Sequence, residues 1–251
     1  MKTKEPIIVV SHLQKYFGTN KVLTDFNLQV NKGENVVVLG KSGCGKSVLI
    51  KCIAGLLPYD GGSIKVFGEE IAMLSQKSLD RLRSRIGFVF QSSALYDSMT
   101  VGENLEFPLL HHRKLKSTQK LKEIVSSTLE NVGLAHAVNL MPSELSGGMR
   151  KRIGLARALV MEPEIILYDE PTTGLDPVTG SEISNLMLKM QEKYHTSSII
   201  ISHDLNCSKA TANRLCVMIN GINYAEGTFD ELESSSDPNI SSFFESYRHE
   251  H

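Results

Sequence analysis

Gly40-Lys41-Ser42-Gly43-Cys44-Gly45-Lys46-Ser47 follows the strand-like run Asn35 to Leu39 and opens into Val48-Leu49-Ile50-Lys51-Cys52-Ile53-Ala54. A buried-strand pattern, a glycine-rich turn and a helical pattern in immediate succession make a P-loop. The glycines let the backbone turn tightly, so that successive N–H groups converge on the β- and γ-phosphates of a nucleotide. The helix that begins there adds the positive end of its dipole. Lys46 brings a point charge to the phosphates and Ser47 a hydroxyl for Mg2+. A plain glycine-rich turn would not need Gly-Lys-Ser after this number of spacers.

Composition narrows the class. The 251 residues are 41% hydrophobic, ample for a large single domain or a core with a subdomain. No stretch approaches the apolar length of a membrane span, and no signal-peptide apolar region follows Met1-Lys2-Thr3-Lys4-Glu5, so the chain reads as cytosolic. Lys and Arg number 27 against 28 Asp and Glu, so no global basic field points to nucleic acid. Cys44, Cys52, Cys207 and Cys216 lack Cys-x-x-Cys spacing and read as small buried or loop residues; Cys44, inside the P-loop, is open to inhibitory alkylation.

Upstream of the P-loop, Ile7 to Val10 and Leu28 to Val30 read as strands, with Lys15-Tyr16-Phe17-Gly18 between them. A lone aromatic packs into the core by default. Beside a nucleotide site Phe17 is the candidate adenine platform, with Tyr16 in reserve. Arg85 to Gln91 is a further strand whose polar tip, Gln91, sits where a parallel sheet presents its ligands and can reach Mg2+ or the attacking water. Residues 92–145 turn helical, with Leu121, Ile124, Val125, Leu129 and Val132 on one apolar stripe. Ser146-Gly147-Gly148 then opens another helix at an anion-receptive N-terminus. Arg150, Lys151 and Arg152 read as a solvated or acid-paired face.

Glu164 to Glu170 is a buried strand ending in two carboxylates, whose desolvation calls for a cation or a water. Asp169 is placed to bind Mg2+, and Glu170 to polarise the water that attacks the γ-phosphate. A turn through Asp176 leads into the helix Val178 to Tyr194. The strand Ser198 to His203 brings His203 to the edge where the phosphates should lie, as a γ-phosphate sensor. From Ser234 the chain is Ser-rich, with Phe243 and Phe244 isolated, and reads as disordered or docked on a neighbour.

In this order the motifs resemble the nucleotide-binding subunit of ATP-binding cassette (ABC) transporters. The shared features are the P-loop, Gln91, the Leu-Ser-Gly-Gly signature at Leu145 to Gly148, the pair Asp169-Glu170, the turn at Asp176 and His203. The resemblance implies an α/β fold: a P-loop NTPase (RecA-like) core with an N-terminal antiparallel β subdomain and an inserted α-helical subdomain. The ATPase domain would cover 1–235, with core 1–91 and 146–235, helical subdomain 92–145 and a tail 236–251. ATP would be held by Phe17, by Gly40, Lys41, Ser42, Gly43, Cys44, Gly45, Lys46, Ser47 and Val48, and by Ser146, Gly147, Gly148 and Asp176. Ser47, Gln91 and Asp169 would hold Mg2+; Glu170, His203 and Gln91 would act in hydrolysis.

Each motif occurs once, so the resemblance also implies a two-fold homodimer with each ATP between one P-loop and the other subunit's signature. The fifth signature position, usually glutamine in that family, is Met149 here, followed by basic residues. That departure is similar to the Mla/Mce phospholipid-transport ATPases, as is the tail Asp237-Pro238-Asn239 with its two phenylalanines. Integral permease subunits, an Mce-domain protein and an accessory cytoplasmic subunit are then the expected partners, with the chain peripheral at the cytoplasmic face of the inner membrane and no nucleic acid bound. The rivals are an ATPase of lipoprotein release or mechanical signalling, and a soluble non-transport ABC ATPase. The latter usually carries a coiled coil or zinc module where residues 92–145 are short and have neither.

Overall fold

The computed structural model describes residues 5–113, 115 and 117–250, with backbone alone for 246–250. Met1 to Lys4, part of the N-terminal stretch weighed above, lie outside the described residues. The contacts divide the chain into two compact units, one reaching Arg83 and resuming at Ser197, the other Ser84–Thr196.

In the first unit, β1 (Pro6–Phe17) and β2 (Asn20–Asn31) form an antiparallel hairpin about Gly18-Thr19. Both alternate buried and more exposed residues, as strands with one covered face do. β3 (Asn35–Leu39) is buried at every position and feeds α1 (Lys46–Ile53). β4 (Gly61–Val66) runs antiparallel to β1, β5 (Glu69–Glu70) pairs with β4, and α2 (Gln76–Arg83) ends the segment.

The second unit contains β6 (Ile86–Val89), α3 (Val101–His111), α4 (Thr118–Asn131), α5 (Gly147–Leu159), β7 (Ile165–Asp169) and α6 (Pro177–Tyr194). β6 and β7 are parallel, from Ile86 opposite Ile165 to Val89 opposite Tyr168. Thr100 and Glu103 form a capping box on α3, a device that stabilises a helix start by about 1 kcal/mol. On α4 the stripe Leu121, Val125 and Leu129 is buried, as its spacing requires. The boundaries of this unit do not coincide with 92 and 145. The strand pairing of β6 with β7 and the packing of α5 on β6 tie the helical segment to the strands on either side of it.

The first unit resumes with β8 (Ser197–Ser202), α7 (Leu205–Thr211), β9 (Arg214–Ile219), β10 (Ile222–Gly227), α8 (Phe229–Glu233) and α9 (Pro238–Glu250). β3 lies between β8 and β9, parallel to both, and the strand order within this unit is β5-β4-β1-β2-β10-β9-β3-β8. Arg214 on β9 donates from Nε to Glu34 Oε1 at 2.9 Å, and Glu34 Oε2 accepts the Asn31 N–H at 2.8 Å. Burial pushes the Glu34 carboxyl up, but the Arg214 guanidinium and the Asn31 N–H outweigh it and hold the pKa below its usual 4.5.

The C-terminal segment corrects the expectation of a disordered or neighbour-docked tail. Residues Pro238–Glu250 are helical, and Phe244 is fully buried with its ring edge-on to Phe229 at 5.4 Å. The reason is a partner within the chain: α8 presents Phe229, and two aromatic rings gain more from each other than from water.

Candidate functional site

Strand β3 delivers the chain to the glycine-rich loop with no exposed residue. Gly45 caps α1 at φ 107°, and a Cβ there would fall 2.8 Å from Val22 Cγ1 of β2, so both conformation and space demand glycine. As the cap of α1, Gly45 offers no side-chain acceptor, whereas Ser146, Asp176 and Asp204 cap α5, α6 and α7 through side-chain oxygens. The start of α1 thus carries no side-chain cap, and a helix N-terminus of this kind favours an anion. Lys46 is 6% exposed, and its Nζ donates to the carbonyls of Gly40 at 2.6 Å and Lys41 at 3.2 Å. Lys41, Ser42 and Gly43 are exposed, while Cys44, Ser47 and Val48 are half-buried. Phe17 ends β1 with 48% of its surface exposed and Lys15 Nζ 5.2 Å from its ring centre. Tyr16 is half-buried, its hydroxyl donating to Gln14 Oε1 at 2.8 Å. His203 follows the last residue of β8 directly and is exposed.

The second unit holds the remaining candidates. Gln91 is exposed two residues beyond β6, and the loop after it carries Ser93 and Ala94 at φ 62° and 45°. Asp169 ends β7 buried, at 6% exposure. Glu170 follows at φ 51°, unusual for a residue with a Cβ, and its Oε2 accepts the Thr173 hydroxyl at 3.1 Å. Ser146 caps α5 by accepting the Met149 N–H at 3.3 Å, leaving Ser146 and Gly147 exposed. A Cβ on Gly148 would lie 2.8 Å from Thr179 Cγ2, so the approach of α6 requires this glycine. Asp176 caps α6, accepting the Thr179 N–H at 3.0 Å and the Thr179 hydroxyl at 2.6 Å, and these bonds hold its carboxyl below the usual range. The structure thus groups the P-loop, Phe17 and His203 in one unit and Gln91, the signature, Asp169, Glu170 and Asp176 in the other.

The sequence profile described as ABC transporter matches residues 23–173, which run from β2 through the P-loop and signature to the turn after Glu170. The chain belongs to the ABC transporter family. It is 38% identical to the intermembrane phospholipid transport ATP-binding protein MlaF of Haemophilus influenzae, over 94% of this chain and 89% of that one. It is 37% identical to the methionine import ATP-binding protein MetN of Campylobacter jejuni, over 90% of this chain and 72% of that one. Among solved structures it is similar to the dimeric ATP-binding cassette MJ0796 in a post-hydrolysis state bound to ADP and Pi. That match has a TM-score of 0.81 and 30% identity, covering 88% of this chain and 98% of that one. The expected α/β P-loop NTPase architecture is thereby established, and the chain is an ABC-type ATPase.

Of the three basic residues read as a solvated or acid-paired face, Lys151 departs from that expectation. Lys151 is 8% exposed, and its Nζ donates to the carbonyls of Gln91 at 2.7 Å and Glu170 at 3.3 Å. Burial lowers its pKa, although Glu170 and Asp169 pull the other way. The signal was present in the sequence: Lys151, Gly154, Leu155 and Ala158 recur at helical spacing and all lie on the buried side of α5. Arg150 is exposed, and Arg152 pairs with Glu182 at 2.7 Å. Among the described residues no helix is long and apolar enough to cross a membrane.

Proposed function

We propose that this chain is the ATP-hydrolysing subunit of a bacterial transporter that moves phospholipid through a separate membrane permease. The observation that carries the substrate is the match to MlaF along nearly the full length of both chains, and Met149 in the signature supports it. The chain works as a homodimer in which ATP lies between the P-loop of one subunit and Ser146-Gly147-Gly148 of the other, peripheral to the cytoplasmic side of the inner membrane. Lys46 and the N–H groups at the start of α1 hold the phosphates, and Phe17 stacks on the adenine. Ser47, Asp169 and Gln91 offer oxygen donors only, the set that suits Mg2+, which when bound offsets phosphate charge. Glu170 accepts the proton of the attacking water, His203 contacts the γ-phosphate, and Asp176 lines the nucleotide interface. ATP adds contacts only in the closed dimer and so shifts the population toward it; hydrolysis and phosphate release remove them. The helical segment 92–145 moves with that cycle and engages the permease. An Mce-domain protein and an accessory cytoplasmic subunit complete the assembly.

A second reading, import of a small solute, is favoured by the match to MetN. The experiment that separates them traps the Glu170→Gln variant with ATP in its native membranes, solubilises it gently and identifies co-purifying proteins and lipids by mass spectrometry. A permease with an Mce-domain protein and bound phospholipid is the expected result. A permease without either would discard phospholipid as the substrate, and recovery with no membrane protein would discard the transport role.

A further inference from the structure

One face of α5 grips the exit loops of both strands of the second unit. Lys151 Nζ reaches the carbonyls of Gln91 and Glu170. One turn later the Cα of Gly154 lies against Ser93, since a Cβ there would come within 3.0 Å of Ser93 Cβ. After another turn Arg157 donates to the Ala94 carbonyl at 2.5 Å and the Ser93 carbonyl at 3.3 Å. These contacts fall at positions 151, 154 and 157 of the helix that begins at the signature, so they share one side of it. They hold backbone that would not hold itself: Ser93, Ala94 and Glu170 all have positive φ. Lys151 is the one of the three that touches both exit loops, the loop of Gln91 and the loop of Glu170.

Resting on the hydrolytic roles proposed for Gln91 and Glu170, we infer that Lys151 is a positioning residue that fixes both side chains relative to the signature helix. A buried ammonium donating to two carbonyls sets the direction of each peptide plane, and the side chain of Glu170 leaves from the residue whose carbonyl is held. The signature of a subunit serves the partner's nucleotide, whereas its Gln91 and Glu170 serve its own. Lys151 therefore carries any displacement of α5 caused at one nucleotide into the hydrolytic groups at the other, through side-chain contacts within a single unit.

The test compares Lys151→Met, which keeps the stem and removes the donors, with Lys151→Arg, which keeps both charge and donors. Phosphate release and the ATP dependence of the rate are measured on the full chain beside wild type and Glu170→Gln. Lys151→Met should lower kcat about tenfold while KM for ATP stays within about twofold, because alignment of the reacting groups is lost and ground-state binding is kept. Lys151→Arg should recover most of the rate. If Lys151→Met does not fold, Lys151→Gln, which keeps one donating amide at shorter reach, takes its place with the same expected split. Wild-type kcat in Lys151→Met, or equal loss in Lys151→Met and Lys151→Arg with a shared drop in melting temperature, would overturn the role of Lys151. Wild-type protein that releases no phosphate would instead remove the hydrolytic assignment on which the inference rests.

Discussion

Two buried lysines organise the two units, and their geometry is nearly the same. Lys46 donates to carbonyls at 2.6 and 3.2 Å, Lys151 at 2.7 and 3.3 Å. They differ in where those carbonyls come from. Lys46 closes a loop on residues five and six positions before it, whereas Lys151 bridges partners 60 and 19 positions away. A local closure can be written as a motif; a long-range one exists only once the strands are paired. In the proposed function the two lysines also divide the labour, the first holding phosphates and the second standing behind the groups assigned to hydrolysis.

That division is exposed most severely by Glu170→Gln. Removing the carboxylate should reduce steady-state phosphate release on the order of a thousandfold, leave ATP binding intact and trap the closed dimer on a sizing column. Normal turnover would erase the distinction between the units. Lys46→Ala should act on the other side: removing a charged donor costs about 2 to 3 kcal/mol, or up to roughly a hundredfold in ATP affinity, read by titrating a fluorescent ATP analogue. Unchanged affinity would mean that the loop backbone alone holds the phosphates.

The smallest effect belongs to the scaffold beneath the P-loop. Glu34 has a folded pKa below its unfolded value, so the stability it contributes is present above the unfolded value and is lost as pH falls through the folded one. Thermal melts should therefore show stability dropping below about pH 4.5, and Glu34→Gln should remove part of that dependence. An identical acid response in the variant would assign the loss to other carboxylates.

Much of the fold was legible because its central strands announce themselves. β3, β7 and β8 are buried at every residue and appear as short apolar runs, and the polar tips of β7 and β8 mark Asp169 and His203, as the end of β6 marks Gln91. The full length of β1 was hidden, since its later part alternates with polar residues and slips register between Val10 and Tyr16. α2 was hidden too: its sequence QKSLDRLR is mostly polar. Its place is secured by tertiary bonds, Arg83 donating to the Ala54 carbonyl at 3.2 Å and also to the Gly55 carbonyl. The terminal helix needed Phe229, fifteen residues before Phe244, to give its aromatic a destination. In the site, the P-loop and the carboxylate pair were readable from neighbouring residues, while Lys151 required attention to which side of its own helix it shared.

Glu170 sits at φ 51°, where glycine or asparagine would be at ease. Replacing it with either would relax the turn while removing the carboxylate. A laboratory selection that rewards only heat resistance would therefore drift toward losing this side chain, whereas one that rewards the turnover proposed for it would keep glutamate. Position 170 is thus a point at which durability and work are set against each other by a single backbone angle.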